Sequence, residues 1–193
     1  MTTIGRWLLL LCVLLAACPR PGDDDDDSTL DPNFDPAFLP QGPNPPQPPT
    51  RATVEQIFDG DTGRFRLEDG FSESVRFLSI DTPEMNGGNS DPPQCYAEEA
   101  TARTEELLPE GTTVWLTWDG EYRDGFDRLL CYIHVGETPS VDTYDDWVNL
   151  SLVREGYARA FIFSNNQTFR TVFEDAEQDA RDADLGRWGE CGF

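Results

Sequence analysis

The chain is 193 residues long, has a formal net charge of −23 at pH 7, and draws all 14 of its cations from arginine, since it contains no lysine. Such a charge repels polyanions at long range, so any nucleic-acid binding has to rest on a few local arginines, a metal ion and screening by salt. With an N-terminal leader and linker set aside, about 140 residues remain, enough for one domain with a core and too few for two.

The leader comes first. Residues 1–6 supply one positive charge, 7–17 form an apolar run too short to span a bilayer as a helix, and small residues precede Cys18. This reads as a secretory signal over 1–17. Leu15-Ala16-Ala17-Cys18 resembles a bacterial lipoprotein cleavage box, in which Cys18 becomes the acylated first residue; an ordinary signal peptide with a chance cysteine is the alternative. Export with a lipid anchor in a bacterial membrane is therefore the expected localisation. Residues 18–50 hold five consecutive aspartates, Asp23 to Asp27, and a Pro-rich tract over 40–49, so a disordered spacer is expected there. The aspartate run lacks a regular ligand loop and reads as solvated.

Residues 51–193 are expected to form one domain. Strands are expected over 53–58, 64–67 and 74–80, separated by the turn residues Asp59-Gly60 and Asp69-Gly70. A helix over about 96–108 turns Ala97, Ala100, Leu107 and Leu108 inward and Glu98, Glu99, Glu105 and Glu106 outward. Strands resume over 113–118 and 129–135. A helix over 146–155 buries Val148, Leu152 and Val153, a short apolar stretch covers 160–163, and a last helix spaces Phe169, Val172, Phe173, Ala176 and Ala180 before Gly186 stops it. Short strands with a helix inserted after the third imply an α+β, mainly β class: a five-stranded Greek-key barrel of the OB type with about three flanking helices. Cys131, in an apolar strand, reads as a buried thiol. Cys95 follows a Gly/Pro-rich loop and Cys191 lies near the end of the chain; a disulfide between them is expected, although sequence does not dictate the pairing. His134 reads as an ordinary surface or core side chain.

The chemistry gathers around SVRFLSIDTPE, residues 74–84, an apolar strand interrupted by Arg76 and ending in Asp81 and Glu84. Asp59-Gly60-Asp61-Thr62 falls between the first two strands, and in a small barrel these two points can meet. Carboxylates gathered at a partly buried spot call for a cation, and oxygen ligands select a hard divalent ion, held weakly at about 10⁻⁴ to 10⁻³ M. Arg128, in the turn Arg123-Asp124-Gly125-Phe126-Asp127-Arg128, adds a second guanidinium. Two arginines facing a metal, with a carboxylate to spare, suit phosphodiester hydrolysis: the cations neutralise charge on the phosphoryl oxygens and the carboxylate handles the attacking water. On an ideal strand Arg76 and Asp81 face opposite sides, so the chain has to leave strand geometry near Ile80, before Pro83.

Taken together and in order, Asp59-Gly60-Asp61-Thr62, Arg76, Ile80-Asp81-Thr82-Pro83-Glu84, Asp124 to Arg128 with Leu130 and Tyr132, Val148-Asn149 and Leu152-Val153-Arg154-Glu155-Gly156 resemble the staphylococcal nuclease family. The resemblance implies an OB-fold and Ca²⁺-dependent cleavage of DNA and RNA to 3′-phosphate products; no protein partner is implied, and a monomer is expected. It further implies that Asp61, Asp81 and the Thr82 carbonyl ligate Ca²⁺, that Glu84 acts on the water, and that Arg76 and Arg128 bind the scissile phosphate. Phe126, Phe161 and Phe163 stand where the family places tyrosines beside the nucleotide, keeping stacking and losing hydroxyls. Asp127 replaces a glycine, and the loop over 85–93 lacks the expected cations. A catalytically silent OB module and an acidic calcium-binding surface lipoprotein are the competing readings.

Overall fold

The computed structural model describes residues 33–85, 92–141 and 143–192. The leader, Cys18, the aspartate run and residues 86–91 of the loop after Glu84 lie outside the described residues. Alternation builds the first strands: β1 (Thr50–Asp59) buries Ala52 and Val54, and β2 (Thr62–Leu67) buries Phe65 between the outward Arg64 and Arg66. β3 (Ser72–Phe77) ends in the buried run Val75, Arg76, Phe77. β5 (Thr113–Thr117) and β6 (Leu129–Val135) complete a closed barrel in the order β1-β2-β3-β6-β5. Its pairings are antiparallel except β3 with β6, the Greek-key closure of an OB-fold. β6 is covered on both faces, which is why its sequence is apolar almost throughout.

Helices cap the barrel. α1 (Ala97–Leu107) turns Ala97, Ala100 and Thr104 inward and its glutamates outward. α2 (Val148–Arg154) and α3 (Arg170–Asp182) pack on β6 and on each other. Tyr132 and Phe173 stack across β6 and α3, their ring centroids 6.1 Å apart. α3 stops at Asp182, four residues before Gly186, and Gly186 instead opens a short fourth helix, α4 (Arg187–Glu190). Gly156 and Gly186 cross so closely that a Cβ on Gly156 would stand 2.3 Å from the Leu185 carbonyl oxygen, and one on Gly186 would stand 2.5 Å from that of Gly156. No helix of the described residues is long and apolar enough to cross a membrane.

The third strand is shorter than its sequence suggests. It ends at Phe77; Ser79 adopts a left-handed φ of 63°, and a separate two-residue strand β4 (Ile80–Asp81) pairs with β7 (Arg159–Ala160). The buried Asn149 holds this break, donating to the carbonyls of Leu78 (2.9 Å) and Cys131 (3.2 Å) and accepting from the Ile133 amide (2.9 Å).

The spacer expected to run to residue 50 behaves differently over its described part. Leu39 is buried, the Gly42 amide donates to Trp118 O (2.7 Å), Thr117 Oγ1 donates to Pro40 O (2.7 Å) and Trp118 Nε1 to Pro48 O (3.0 Å). Prolines have no N–H to satisfy, and here their carbonyls take up donors that the barrel would otherwise leave unpaired. His134 is buried beneath this segment, its Nε2 2.9 Å from Thr117 Oγ1 and its ring stacked on Trp147. Cys131 is a buried free thiol, and Cys95 and Cys191 form a disulfide that closes a separation of 96 residues.

Burial lowers the His134 pKa to about 3, against a weaker pull upward from the Pro40 carbonyl. Between about 6.5 and this value the unfolded chain binds the extra proton, so stability is complete above the unfolded pKa and declines as pH falls through that window. Urea unfolding of wild type should lose about 3 kcal/mol more than His134→Gln between pH 7 and pH 4; equal slopes would remove His134 from the acid response. Converting Cys95 and Cys191 to serine together should lower stability by about 4 kcal/mol at neutral pH, through the larger loop freedom of the unfolded chain.

Candidate active site

The β1–β2 turn carries the first carboxylates. Asp59 Oδ1 accepts the Asp61 amide (3.1 Å), which shapes the turn, and Thr104 of α1 donates to the Gly60 carbonyl (2.8 Å), which docks it. A Cβ at Gly60 would lie 2.7 Å from the Thr82 side chain, so only glycine lets the turn approach the end of β4. That approach brings the buried Asp61 carboxylate to the Thr82 amide, Oδ2 accepting at 3.0 Å, while Oδ1 accepts from the Thr62 hydroxyl at 3.0 Å.

Arg76 reaches the same place from β3. Its buried guanidinium donates through Nη1 to the carbonyls of Phe77 (2.8 Å) and Ile80 (2.9 Å), and through Nη2 to Asp61 Oδ2 (3.0 Å) and Asp81 Oδ1 (3.3 Å). The break in the strand makes this possible, and it falls at Ser79, one residue before the position expected from Ile80. Asp81 Oδ2 is taken by Arg159 Nη2 at 2.7 Å. Glu84 stands exposed at the rim, its amide donating to Gln94 Oε1 (3.1 Å) and its carbonyl accepting from the Gln94 amide (3.0 Å). Gln94 precedes Cys95, so the disulfide to α4 also steadies the backbone beside Glu84.

Arg128 is aimed by its own turn. Asp124 Oδ1 accepts the amides of Phe126 and Arg128 (both 2.9 Å) and Oδ2 accepts Arg128 Nε (2.7 Å), while Arg128 Nη1 lies 3.3 Å from Thr62 Oγ1. Partial burial opposes it, but these bonds from Arg128 and Phe126 hold the Asp124 carboxyl below its ordinary value. Asp127 has a left-handed φ of 67°, a conformation that glycine adopts without the steric cost an aspartate meets. Phe126 is 84% exposed, with the Arg128 guanidinium 5.6 Å from its ring centre. Phe161 and Phe163 form an edge-to-face pair at 5.1 Å, and Phe161 lies against Arg159.

Asp61, Arg76, Asp81, Thr82, Glu84 and Arg128 thus share one end of the barrel, with Phe126 on the Arg128 side and the Phe161–Phe163 pair on the Arg159 side. Sequence reading gave no site role to Asp59 and Asp124, although both stand in its motifs, and missed Gln94 and Arg159. Asp124 was legible as a turn-forming aspartate four residues before Arg128. Arg159 carried no such signal, since its link to Asp81 exists only through the β4–β7 pairing.

Electrostatics define what the site can accept. Burial pushes the Asp61 carboxyl up to about 7; Arg76 pulls it down and Asp59 pushes it further up. Burial, then Asp59 and Asp81, also raise Glu84, opposed by Arg76 and Arg128. Arg76 therefore leaves the buried Asp61 carboxyl short of positive charge. Among the described residues no three His, Cys, Asp or Glu side chains form a ready metal cage. The donors are all oxygens, and Asp61, raised despite Arg76, fits a hard divalent cation shared with Asp81 and completed by backbone carbonyl and water.

The family described as "Staphylococcal nuclease homologue" matches residues 74–190. The chain is 34% identical over 143 residues to "Endonuclease YncB" of Bacillus subtilis (strain 168), an alignment covering 73% of this chain and 63% of that protein. It is 34% identical over 143 residues to "SPbeta prophage-derived endonuclease YokF" of the same strain, covering 73% and 45%. It is 33% identical over 135 residues to the "Thermonuclease" of Staphylococcus intermedius, covering 70% and 74%. The chain thus spans 63% and 45% of the lengths of the two Bacillus proteins. Since the matched segment runs from β3 through α4 and takes in Arg76, Asp81, Glu84 and Arg128, the chain belongs to the staphylococcal nuclease family.

Proposed function

We propose that this protein is a metal-dependent nuclease that hydrolyses phosphodiester bonds of DNA or RNA, with Ca²⁺ as its metal and 3′-phosphate ends as its product. The observation that carries this reading is the buried Arg76 guanidinium shared between Asp61 and Asp81, with Glu84 and Arg128 in electrostatic reach of one another. Asp61, Asp81 and the Thr82 carbonyl would hold the cation, whose charge would stabilise negative charge developing on the phosphoryl oxygens. Arg76 and Arg128 bind the scissile phosphate; Arg128 is held in orientation by Asp124 before substrate arrives, which lowers the ordering cost of the contact. Glu84, with its carboxyl raised by burial and by neighbouring carboxylates, orients the attacking water and takes its proton. Phe126, Phe161 and Phe163 offer ring faces and edges to bases and no hydroxyl.

The relatives named endonuclease and thermonuclease support this reading. The Leu15 to Cys18 box supports export and acylation at Cys18, and residues 19–32 would then lie between the lipid and the segment packed on the barrel.

DNA cleavage should be abolished by chelator, restored by Ca²⁺, and reduced by about 10² to 10⁴ in kcat by Glu84→Gln; absence of cleavage by wild type with every divalent ion would reject the hydrolase. Arg76→Lys should lose a factor of about 10³ although it keeps the charge, because an ammonium cannot reproduce the planar fork. Asp127→Gly relieves a left-handed residue and removes a carboxylate one position from Arg128. It should raise stability by about 1 kcal/mol and lower KM for DNA at low salt, which urea unfolding and steady-state kinetics would register.

A further inference from the structure

Beyond the site described, a cleft of about 390 Å³ opens from Asp81, Thr82, Glu84 and Gln94 and is closed on its far wall by Arg159, Arg181, Arg187 and Trp188. Neither Arg128 nor Phe126 lines it. Three of the chain's 14 cations stand on this wall, in a molecule whose net charge is −23. Two guanidiniums flank one indole, Arg181 at 3.8 Å and Arg187 at 5.0 Å from the Trp188 ring centre. Arg159 and Arg181 are about half exposed, with side-chain exposures of 46% and 47%.

The wall is rigid. The Gly156–Gly186 crossing fixes the start of α4, the Arg187 amide donates to Gly156 O (2.9 Å), and the disulfide ties Cys191 to Cys95. Glu177 bonds both Arg181 (2.6 Å) and the Ala160 amide (2.8 Å), joining α3 to β7. Burial, and then the charges of Arg159 and Arg181, hold the Arg187 guanidinium below its ordinary value, so these cations repel one another where they stand. Asp81 pairs with Arg159 and Glu177 with Arg181. Arg76 and Arg159 take opposite oxygens of the Asp81 carboxylate, which sets the cleft one carboxylate away from the scissile position.

We infer that the Arg159–Arg181–Arg187 wall binds a backbone phosphate of the nucleic acid neighbouring the one that is cut. The subsite rests on the nuclease reading for its substrate, and it answers a difficulty particular to this chain. With the surface strongly acidic and no lysine available, a strand has to be held by cations concentrated beside the site. Guanidiniums braced by an indole and by Glu177 meet a phosphate with little loss of rotamer freedom.

The test uses Arg181→Gln and Arg187→Gln, with the corresponding lysine variants as controls, in full-length protein checked by melting temperature. Binding of a fluorescent single-stranded oligonucleotide of about ten nucleotides is measured in chelator across a salt series. The glutamine variants should bind several-fold more weakly, with the slope of log K against log salt reduced by up to about 0.7 each, and the lysine variants should keep the wild-type slope. With Ca²⁺, KM for the oligonucleotide should rise several-fold in the glutamine variants with kcat within a factor of about two, and a dinucleotide with one phosphodiester should show no change.

Unchanged slopes in stably folded glutamine variants would overturn the subsite, as would equal KM increases on both substrates. Inorganic phosphate protecting wild type but not Arg187→Gln against thermal unfolding, with oligonucleotide binding unaffected by the substitution, would also overturn it in favour of a free-anion site. Slope losses without cleavage by wild type would sustain the subsite while rejecting the hydrolase; cleavage with unaltered slopes would do the reverse.

Discussion

One buried guanidinium organises the end of the barrel that carries the candidate site. Arg76 sits where β3 breaks off, and its Nη1 bonds the Phe77 and Ile80 carbonyls that flank the break. Its Nη2 lies between Asp61 of the β1–β2 turn and Asp81 of β4. Removing this charge would leave a buried carboxylate, Asp61, without its cationic partner, which is strongly destabilising. Replacing it with an apolar side chain would also leave carbonyls without donors. Strand termination, turn docking and charge balance thus meet in one side chain, and the rest of the site is positioned relative to it.

The surrounding devices serve this junction. Asn149 secures the Leu78 and Cys131 carbonyls, so that Ser79 keeps its left-handed conformation and β4 can turn toward β7. Thr104 holds the Gly60 carbonyl, so that Asp61 meets Thr82. Gln94 binds both the amide and the carbonyl of Glu84 beside the disulfide. The Asn149, Thr104 and Asp61 contacts are buried, where a bond made away from water is costly to lose, whereas the Gln94 contact is at the exposed rim. The site is therefore held by backbone groups as much as by charges.

The charge of the chain poses the opposite problem. A protein of net charge −23 has no long-range attraction for a polyanion, and on the proposed reading nucleic acid would be held by local cations aided by salt screening. The arginines near the site are individually braced by carboxylates: Arg128 by Asp124, Arg159 by Asp81, Arg181 by Glu177. Such pairs hold each fork in a defined orientation. Local geometry thereby takes over part of what a basic surface does by field alone.

Some of this was legible along the chain and some was not. Strand and helix periodicities are local properties, so the strands, the inward faces of α1 and α3, and the barrel class were readable from Val54, Phe65, Val75, Ala100 and Phe173 and their spacing. Asp61, Arg76, Asp81, Glu84 and Arg128 could likewise be singled out along the chain, as carboxylates and guanidiniums of the kind phosphodiester hydrolysis uses. The Pro-rich segment misled, since composition says that a stretch has no core of its own and is silent on whether a barrel will lend one; Thr117 and Trp118 supplied the donors that hold Pro40 and Pro48. Likewise, no local pattern could show that Ser79 would reverse the chain or that Arg159, 78 residues after Asp81, would share its carboxylate. Sequence by itself determined the element types and the chemical inventory, because both follow from neighbours along the backbone. Tertiary structure alone decided which donor meets which acceptor, because those pairings exist only once strands distant in the chain are closed against each other.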